Sequence, residues 1–396
     1  MSAQLVVQVC QRALAWAEKR NYTGYGKFDA LNSSLLRTLA GNNRYLRGGF
    51  TYLVSRAPID LRPLLGVEKR QNPKSLGLFA RSFFNLHTLT GEEIWLQKGL
   101  HLLTRLLELS QVHRYSGHCW GAEHPRQSTK FYVEAYFPGA VITVEVAEAF
   151  LDAYEKTGER RYLEVAVSAS DFITKDLTVI EGDDTRLCYS YIPGSSWKIV
   201  NANAKIAGFL ARLAVIVGDQ KLASIAGAAM YWVVERQTEY GAWFYADPPH
   251  SSHVSHDNHH TGFVLSSLLE YITVTGDGTW KDIYDRGLSF YGRALFLSNG
   301  APKWRSDRVY PLDIHGAAQG ILNFSLASDF LPLKLAMAQC IAKWVFENML
   351  HPEGRFYFQK GRLYTKRYTL MRWCQAWMCY ALSTLAPVAT LAEASN

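Results

Sequence analysis

Two short stretches of the chain set a carboxylate beside an imidazole. Asp257 is followed by Asn258, His259 and His260, and Asp313 by Ile314 and His315. An aspartate orients a histidine, and a histidine gives and takes protons near neutral pH. Such couples suit general acid–base chemistry. Asp257, Asp313, His260 and His315 are therefore the first catalytic candidates. The first couple ends a dense loop, in which Gly241 to Asp247 read GAWFYAD. Pro248 and Pro249 follow, and then five of the chain's 12 histidines. His250, His253, His256 and His259 keep an i, i+3 spacing that would share a helix face. The proline pair and the lack of a nearby Cys or Glu point to a loop, so no metal and no cofactor are expected.

Other polar and aromatic groups collect in similar places. Residues 22–34 hold Tyr25, Asp29 and Asn32; Asp29 is a reserve acid or base, or a helix cap. Glu134 lies in an aromatic run, residues 131–139, where burial would raise its pKa toward general-acid duty. Residues 189–203 offer Tyr191 and Asn201, which can meet sugar hydroxyls or cap a helix. Gln319 lies one turn beyond His315. Near the end come Arg372, Trp373, Gln375 and Trp377; a guanidinium beside an indole suits a carboxylate or a stacked sugar ring. Tyr25, Trp243, Tyr245, Trp373 and Trp377 would form a sugar platform. His259, Asn32, Tyr191, Asn201, Gln319, Arg372 and Gln375 complete the expected substrate-binding set.

These groups need elements to hold them, and helical periodicity dominates the chain. A turn recurs as Thr90-Gly91-Glu92, Thr157-Gly158-Glu159, Val217-Gly218-Asp219 and Thr275-Gly276-Asp277, with Ser328-Asp329 as a degenerate form. Glycine past a helix end takes the left-handed conformation, and the acid favours the next helix start. Each turn therefore joins two antiparallel helices. The turns recur at spacings of 67, 60, 58 and 52 residues. Long loops fall between them, near 21–32, 110–139, 178–200, 237–258, 298–313 and 350–369. About six hairpins closing into an all-α (α/α)6 toroid would set every long loop on one rim. An open superhelix is the alternative. Residues 1–386 read as one toroid domain and 387–396 as a loose tail.

Hydrophobic residues make up 48% and charged residues 19%, enough apolar material for a core of this size. The net charge of +7 comes without a basic run, so no nucleic-acid partner is expected, while acidic sugars stay compatible. Six scattered cysteines without a C-x-x-C pair fit a reduced, cytoplasmic setting. Residues 1–20 lack the marks of a signal peptide, and no apolar run of membrane-spanning length is expected. Asp183-Asp184 is the only adjacent Asp pair and no aspartate-rich cyclase motif accompanies it.

The hairpin pattern resembles the six-hairpin glycosidase superfamily of (α/α)6 toroids. More narrowly, residues 25–33, Asn72-Pro73-Lys74, residues 257–263, residues 313–319 and Met371-Arg372-Trp373-Cys374-Gln375-Ala376-Trp377 are similar to a bacterial family from polysaccharide-biosynthesis gene sets. The resemblance implies carbohydrate chemistry in a central cleft. Arg372-Trp373 also resembles the Arg-Trp of uronyl C5-epimerases, although their β-rich domain is missing here. His253 and His256 depart from the family's Asp-Asn-His pattern. The expected function is a carbohydrate-active enzyme working on a glycosidic bond through acid/base carboxylates, Asp257 and Asp313 first. The alternatives are a uronyl C5-epimerase or lyase, with His260 or His315 moving the proton, and a non-catalytic sugar-binding or assembly protein of a polysaccharide synthase. The expected partners are an oligo- or polysaccharide and the machinery that makes it.

Overall fold

A computed structural model describes residues 1–128, 131–183, 185–328 and 333–394. Asp184 and Asp329, used in the sequence reading, lie outside the described residues. Helix α1 (Ala3–Glu18) precedes a short pair, α2 (Ser34–Ala40) and α3 (Arg44–Arg56). Then come α4 (Pro73–Thr90), α5 (Glu93–Glu108), α6 (Ala140–Thr157), α7 (Arg160–Asp171), α8 (Val200–Val217) and α9 (Gln220–Val234). The chain continues with α10 (Asn258–Thr275), α11 (Lys281–Leu295), α12 (Ile314–Ala327), α13 (Leu333–Asn348) and α14 (Trp377–Ala394).

The short turns form as their residues require. Gly91, Gly158, Gly218 and Gly276 end α4, α6, α8 and α10 with φ of 71°, 71°, 73° and 69°. That left-handed conformation strains any residue with a Cβ. The acids that follow divide by side-chain length. Asp219 and Asp277 cap the next helical turn, while Glu92 and Glu159 make no capping bond. In the three Thr-Gly-acid turns the threonine hydroxyl accepts the acid's own N–H, at 3.2, 3.1 and 3.2 Å.

Helices α4, α6, α8, α10, α12 and α14 form an inner ring in which each packs on the next, and α14 packs back on α4. Helices α5, α7, α9, α11, α13 and α1 pair with them from outside. This closed (α/α)6 toroid excludes the open superhelix. Among the described residues every strand is two to four residues long and sits in a connecting loop. The inner helices are buried nearly all round, as their apolar and small-residue composition demands. Helix α8 is apolar and long enough to cross a membrane, contrary to the sequence expectation, and 78% of it is buried in the ring. Gly208 lets α8 approach α10, since a Cβ there would meet Ser267 O at 3.0 Å.

Below the first turns of the inner helices, the lumen is filled by charge. Lys74 of α4 and Lys205 of α8 each lie 3.4 Å from Glu145 of α6. Deeper, Arg81 pairs with Asp152 at 2.7 Å, and Arg212 reaches Glu148 at 2.5 Å and Asp152 at 2.8 Å. Buried charges persist when paired in this way.

Two expectations need correction. The long loop expected near 21–32 leads not into the ring but into the α2–α3 pair, an insertion outside it, and the first inner helix starts at Asn72-Pro73. The pair's periodicity matches that of the ring helices, which hid it. Residues 387–394 also continue α14 as helix rather than forming a loose tail.

Overpacking tests the ring contact. Gly208→Leu should lower stability by about 1–3 kcal/mol, read as an earlier urea midpoint with an unchanged slope.

Candidate active site

The start of α12 is fixed by one carboxylate. Asp313 Oδ1 accepts the His315 backbone N–H at 2.9 Å and Trp373 Nε1–H at 2.7 Å. Its Oδ2 accepts from Gln359 Nε2 at 2.7 Å. The backbone of Asp313 pairs with Gln359, and Gln359 pairs with Lys366. Trp373 comes from the π-helical turn Met371–Ala376 that leads into α14. The His315 ring is thereby set 4.4 Å from Trp373 and stacked 5.1 Å from Trp377. Both its nitrogens are buried without a hydrogen-bond partner among the described residues. Burial, with Arg372, Lys74 and Lys27 nearby, holds its pKa well below the usual histidine range.

The start of α10 repeats the design. Asp257 Oδ1 accepts the His260 backbone N–H at 2.9 Å, and Oδ2 meets His260 Nδ1 at 2.8 Å. His259 Nδ1 lies 3.3 Å from Oδ1. The two couples meet through His259, whose ring is 3.8 Å from His260, 4.9 Å from His315 and 5.2 Å from Trp373. The result is a row of three imidazoles bracketed by two aspartates. Burial opposes ionisation of Asp257, but His259 and His260 outweigh it and hold the carboxyl well below its usual range. Burial drives His259 well below 6.5, so the imidazole is neutral at pH 7. Ligand atoms of Asp257, His259 and His260 lie within 4.8 Å of one another, a spacing able to hold a metal ion.

Cations surround the row. Lys27 Nζ lies 3.5 Å above the Trp373 ring. Burial lowers its pKa to about 8, while Asp313 and Asp257 pull the other way. The turn carrying it is clamped by a buried pair: Arg62 Nε meets Asp29 Oδ1 at 2.7 Å, and Asp29 Oδ2 accepts the Gly26 N–H at 2.8 Å. Arg62 Nη2 also bonds Gly26 O at 2.9 Å. Arg372 lies 5.4 Å over Trp373 and has no hydrogen-bond or salt-bridge partner among the described residues. Arg126 sits 5.9 Å from the rings of Phe131 and Tyr191, with no carboxylate paired to it among the described residues. Glu123 is taken up by Asn72 and His124. Burial opposes its ionisation, but His124 and its other partners hold it at about 2.

An aromatic wall leads outward. Tyr245 lies 4.4 Å from His260 and 5.8 Å from Trp197. Trp197, Phe131, Tyr132 and Pro248 then line an open cleft of about 750 Å³.

No family model matches the chain, and no curated protein matches it. Solved structures do match. A sugar epimerase from a ruminal bacterium is 14% identical, with a TM-score of 0.65 over 82% of this chain and 90% of its own. Cellobiose 2-epimerase from Bacillus thermoamylovorans is 13% identical, with a TM-score of 0.62 over 80% and 90%. A GH76 α-mannanase from Bacteroides thetaiotaomicron is 16% identical, with a TM-score of 0.59 over 82% and 88%. The chain has the six-hairpin (α/α)6 fold. At these identities the likeness speaks for the toroid alone.

Several expected site residues lie elsewhere. Asp29 serves the clamp with both oxygens, which leaves none for acid–base work. Glu134 is exposed on the cleft lip rather than buried among aromatics. Trp243 donates to Val233 O at 3.0 Å and packs on Gly287 in the core, far from any platform role. Gln375 joins Ala13 O, Gly354 O and Phe356 N, sealing the last helix to the first. Asn32 is buried beneath α2, with Nδ2 3.5 Å from Glu68 O. Tyr25 lies beside Arg62 and Lys69. His250 and His253 are exposed, and His256 is a core residue bonded to Trp243 O and Tyr240. Asn201 Oδ1 and both polar atoms of the Gln319 side chain are buried and unpartnered at the inner ring.

Lys27, Lys74, Glu123, His124 and Arg126 were missed. Asn72-Pro73-Lys74 had the signal of an inner-helix start. The others sit in loops whose approach to the centre depends on long-range contacts.

The clamp separates position from catalysis. Asp29→Ala should cost about 1–3 kcal/mol by removing the buried partner of Arg62 Nε, although Asp60 still pairs with Nη1 at 3.1 Å, measured by chemical denaturation.

Proposed function

We propose that the protein is a carbohydrate epimerase that moves a proton on a sugar acid. The observation that carries this reading is the row His260, His259 and His315, neutral at one end and oriented by Asp257 at the other. Neutral imidazoles accept and return protons without a change in the net charge of a buried site. The carboxylates of Asp257 and Asp313 are instead engaged by two and three donors, and Asp257 is held ionised. A glycosidic-bond mechanism through carboxylates needs one of the pair protonated. The names of the structural relatives, a cellobiose 2-epimerase and a sugar epimerase among them, agree with the proposal.

In this mechanism Arg372 and Arg126 hold the substrate carboxylate, because half-buried guanidinium groups that make no salt bridge among the described residues suit a bidentate anion. One imidazole removes the proton from the carbon beside the carboxylate. The electron pair moves into the carboxylate as an enediolate, whose added charge the arginines and Lys27 stabilise. A second imidazole, which must be protonated before turnover, gives its proton to the opposite face and is left neutral as the electron pair goes back to carbon; the first then loses its proton to solvent and the second regains one from it. Asp257 is a positioning residue for His260. The cleft at Trp197 and Phe131 accommodates the rest of an oligosaccharide.

Incubation with uronate-containing oligosaccharides in D2O tests the proposal. Deuterium should enter at C5 without chain cleavage, and Asp257→Asn or His315→Gln should slow the exchange by roughly 10²-fold or more. Cleavage without deuterium would assign the site to hydrolysis, with Asp257 and Asp313 as the pair. Binding with neither would leave a sugar-binding protein.

Lys27 adds a pH signature. It is charged below about 8 and neutral above, and an anion favours the charged form. Affinity for the uronate should therefore fall as pH rises through 8, and calorimetry should find that fall absent in Lys27→Gln.

A further inference from the structure

The inserted α2–α3 pair has its polarity reversed. Helix α3 buries Thr51, Val54 and Ser55 against the protein. Its outer face carries Tyr45 at 80% exposure, Leu46 at 44%, Tyr52 at 64% and Leu53 at 56%. Positions 45, 46, 49, 52, 53 and 56 share one side of a helix. Leu35 and Leu39 of α2, one turn apart, are also exposed, at 54% and 59%. Exposed apolar side chains are ordinary singly, but a contiguous face of them marks a contact surface.

Charge selects what covers it. No acidic residue occurs between Asp29 and Asp60, while Arg37, Arg44, Arg47 and Arg56 all fall there. Arg37 and Arg56 are exposed at the margins of the apolar face. The acids that flank the pair are largely engaged: Asp60 by Arg62, Glu68 by Arg70, and Glu134 at Tyr132 on the cleft lip. A second copy of this chain would set arginine against arginine, with only the edge acids Glu68 and Glu134, already engaged, to answer them. Aromatic and leucine side chains ringed by arginines match the headgroup zone of an anionic bilayer.

We propose that the α2–α3 pair docks on an anionic membrane surface, its apolar face in the headgroup layer and its arginines on lipid phosphates. The contact is peripheral, because the two helices have only 7 and 13 residues. The pair also borders the cleft: Arg47 lies 4.0 Å over Tyr132, and Lys366 Nζ bonds Arg56 O at 3.0 Å. Docking therefore holds the mouth of the cavity beside the bilayer. This stands independently of the reaction proposed above.

Flotation of the full chain with vesicles tests it. The chain should float with vesicles of equal parts phosphatidylcholine and phosphatidylglycerol, and high salt should release it. Replacing Arg37 or Arg56 by glutamine should weaken partition roughly five-fold each. The combined variant Tyr45→Ser, Leu46→Ser, Tyr52→Ser, Leu53→Ser should lose flotation while keeping the wild-type melting temperature, since all four side chains are exposed. Failure of the wild type to float with anionic vesicles would overturn the proposal. So would a wild-type dimer in light scattering that the four serines convert to monomer, which would make the face a contact between copies.

Discussion

Three parts of the chain distant in sequence meet at the carboxylate of Asp313, and the geometry of the centre depends on it. It accepts from the first turn of α12, from the indole that opens α14 and from the hairpin between them. A carboxylate with three donors loses little by leaving water, because each lone pair it gives up finds a hydrogen. His315 has no hydrogen bond from its ring, so packing alone fixes it. The walls of that packing, Trp373 and Trp377, are fixed in turn by Asp313 and the start of α14. Asp257 does the same for α10 with one difference: it grips the imidazole of His260 directly. One aspartate thus orients a ring and the other builds the pocket for one.

The surroundings of this centre are unequal in charge. Asp257, Asp313 and Glu123 are each taken up by donors of their own. Arg372 and Arg126 lie against aromatic rings and make no salt bridge among the described residues, and Lys27 lies on an indole. Taking a cation out of water is costly, and here acids a little farther away, Asp313 and Asp257 for Lys27 and Glu123 for Arg372, offset only part of that cost. The Asp29–Arg62 pair belongs to the same economy, since it holds the loop that carries Lys27 over the cavity.

The toroid could be read from the residues because its signals are local. A left-handed glycine after a helix is a demand of a single residue, and four of them at regular spacing gave the hairpins. The two Asp-His couples were legible for a similar reason, as each is a cap and its first turn. What stayed hidden depends on distance along the chain. Asp29 meets a residue 33 positions away, and only that contact distinguishes a clamp from a catalyst. Trp243 and Trp373 are alike as sequence, yet one packs on a glycine of the core and the other binds a carboxylate. The α2–α3 pair escaped notice because an amphipathic period does not say which side faces the protein.

The ladder of paired charges inside the ring has a topological consequence. It runs from Lys74 and Glu145 down through Arg81, Asp152 and Arg212, and these paired side chains fill the space between the inner helices. A long polymer could not be threaded through the ring like a string through a bead. A ligand that reaches the imidazole row from the loop side would have to enter and leave by that same side.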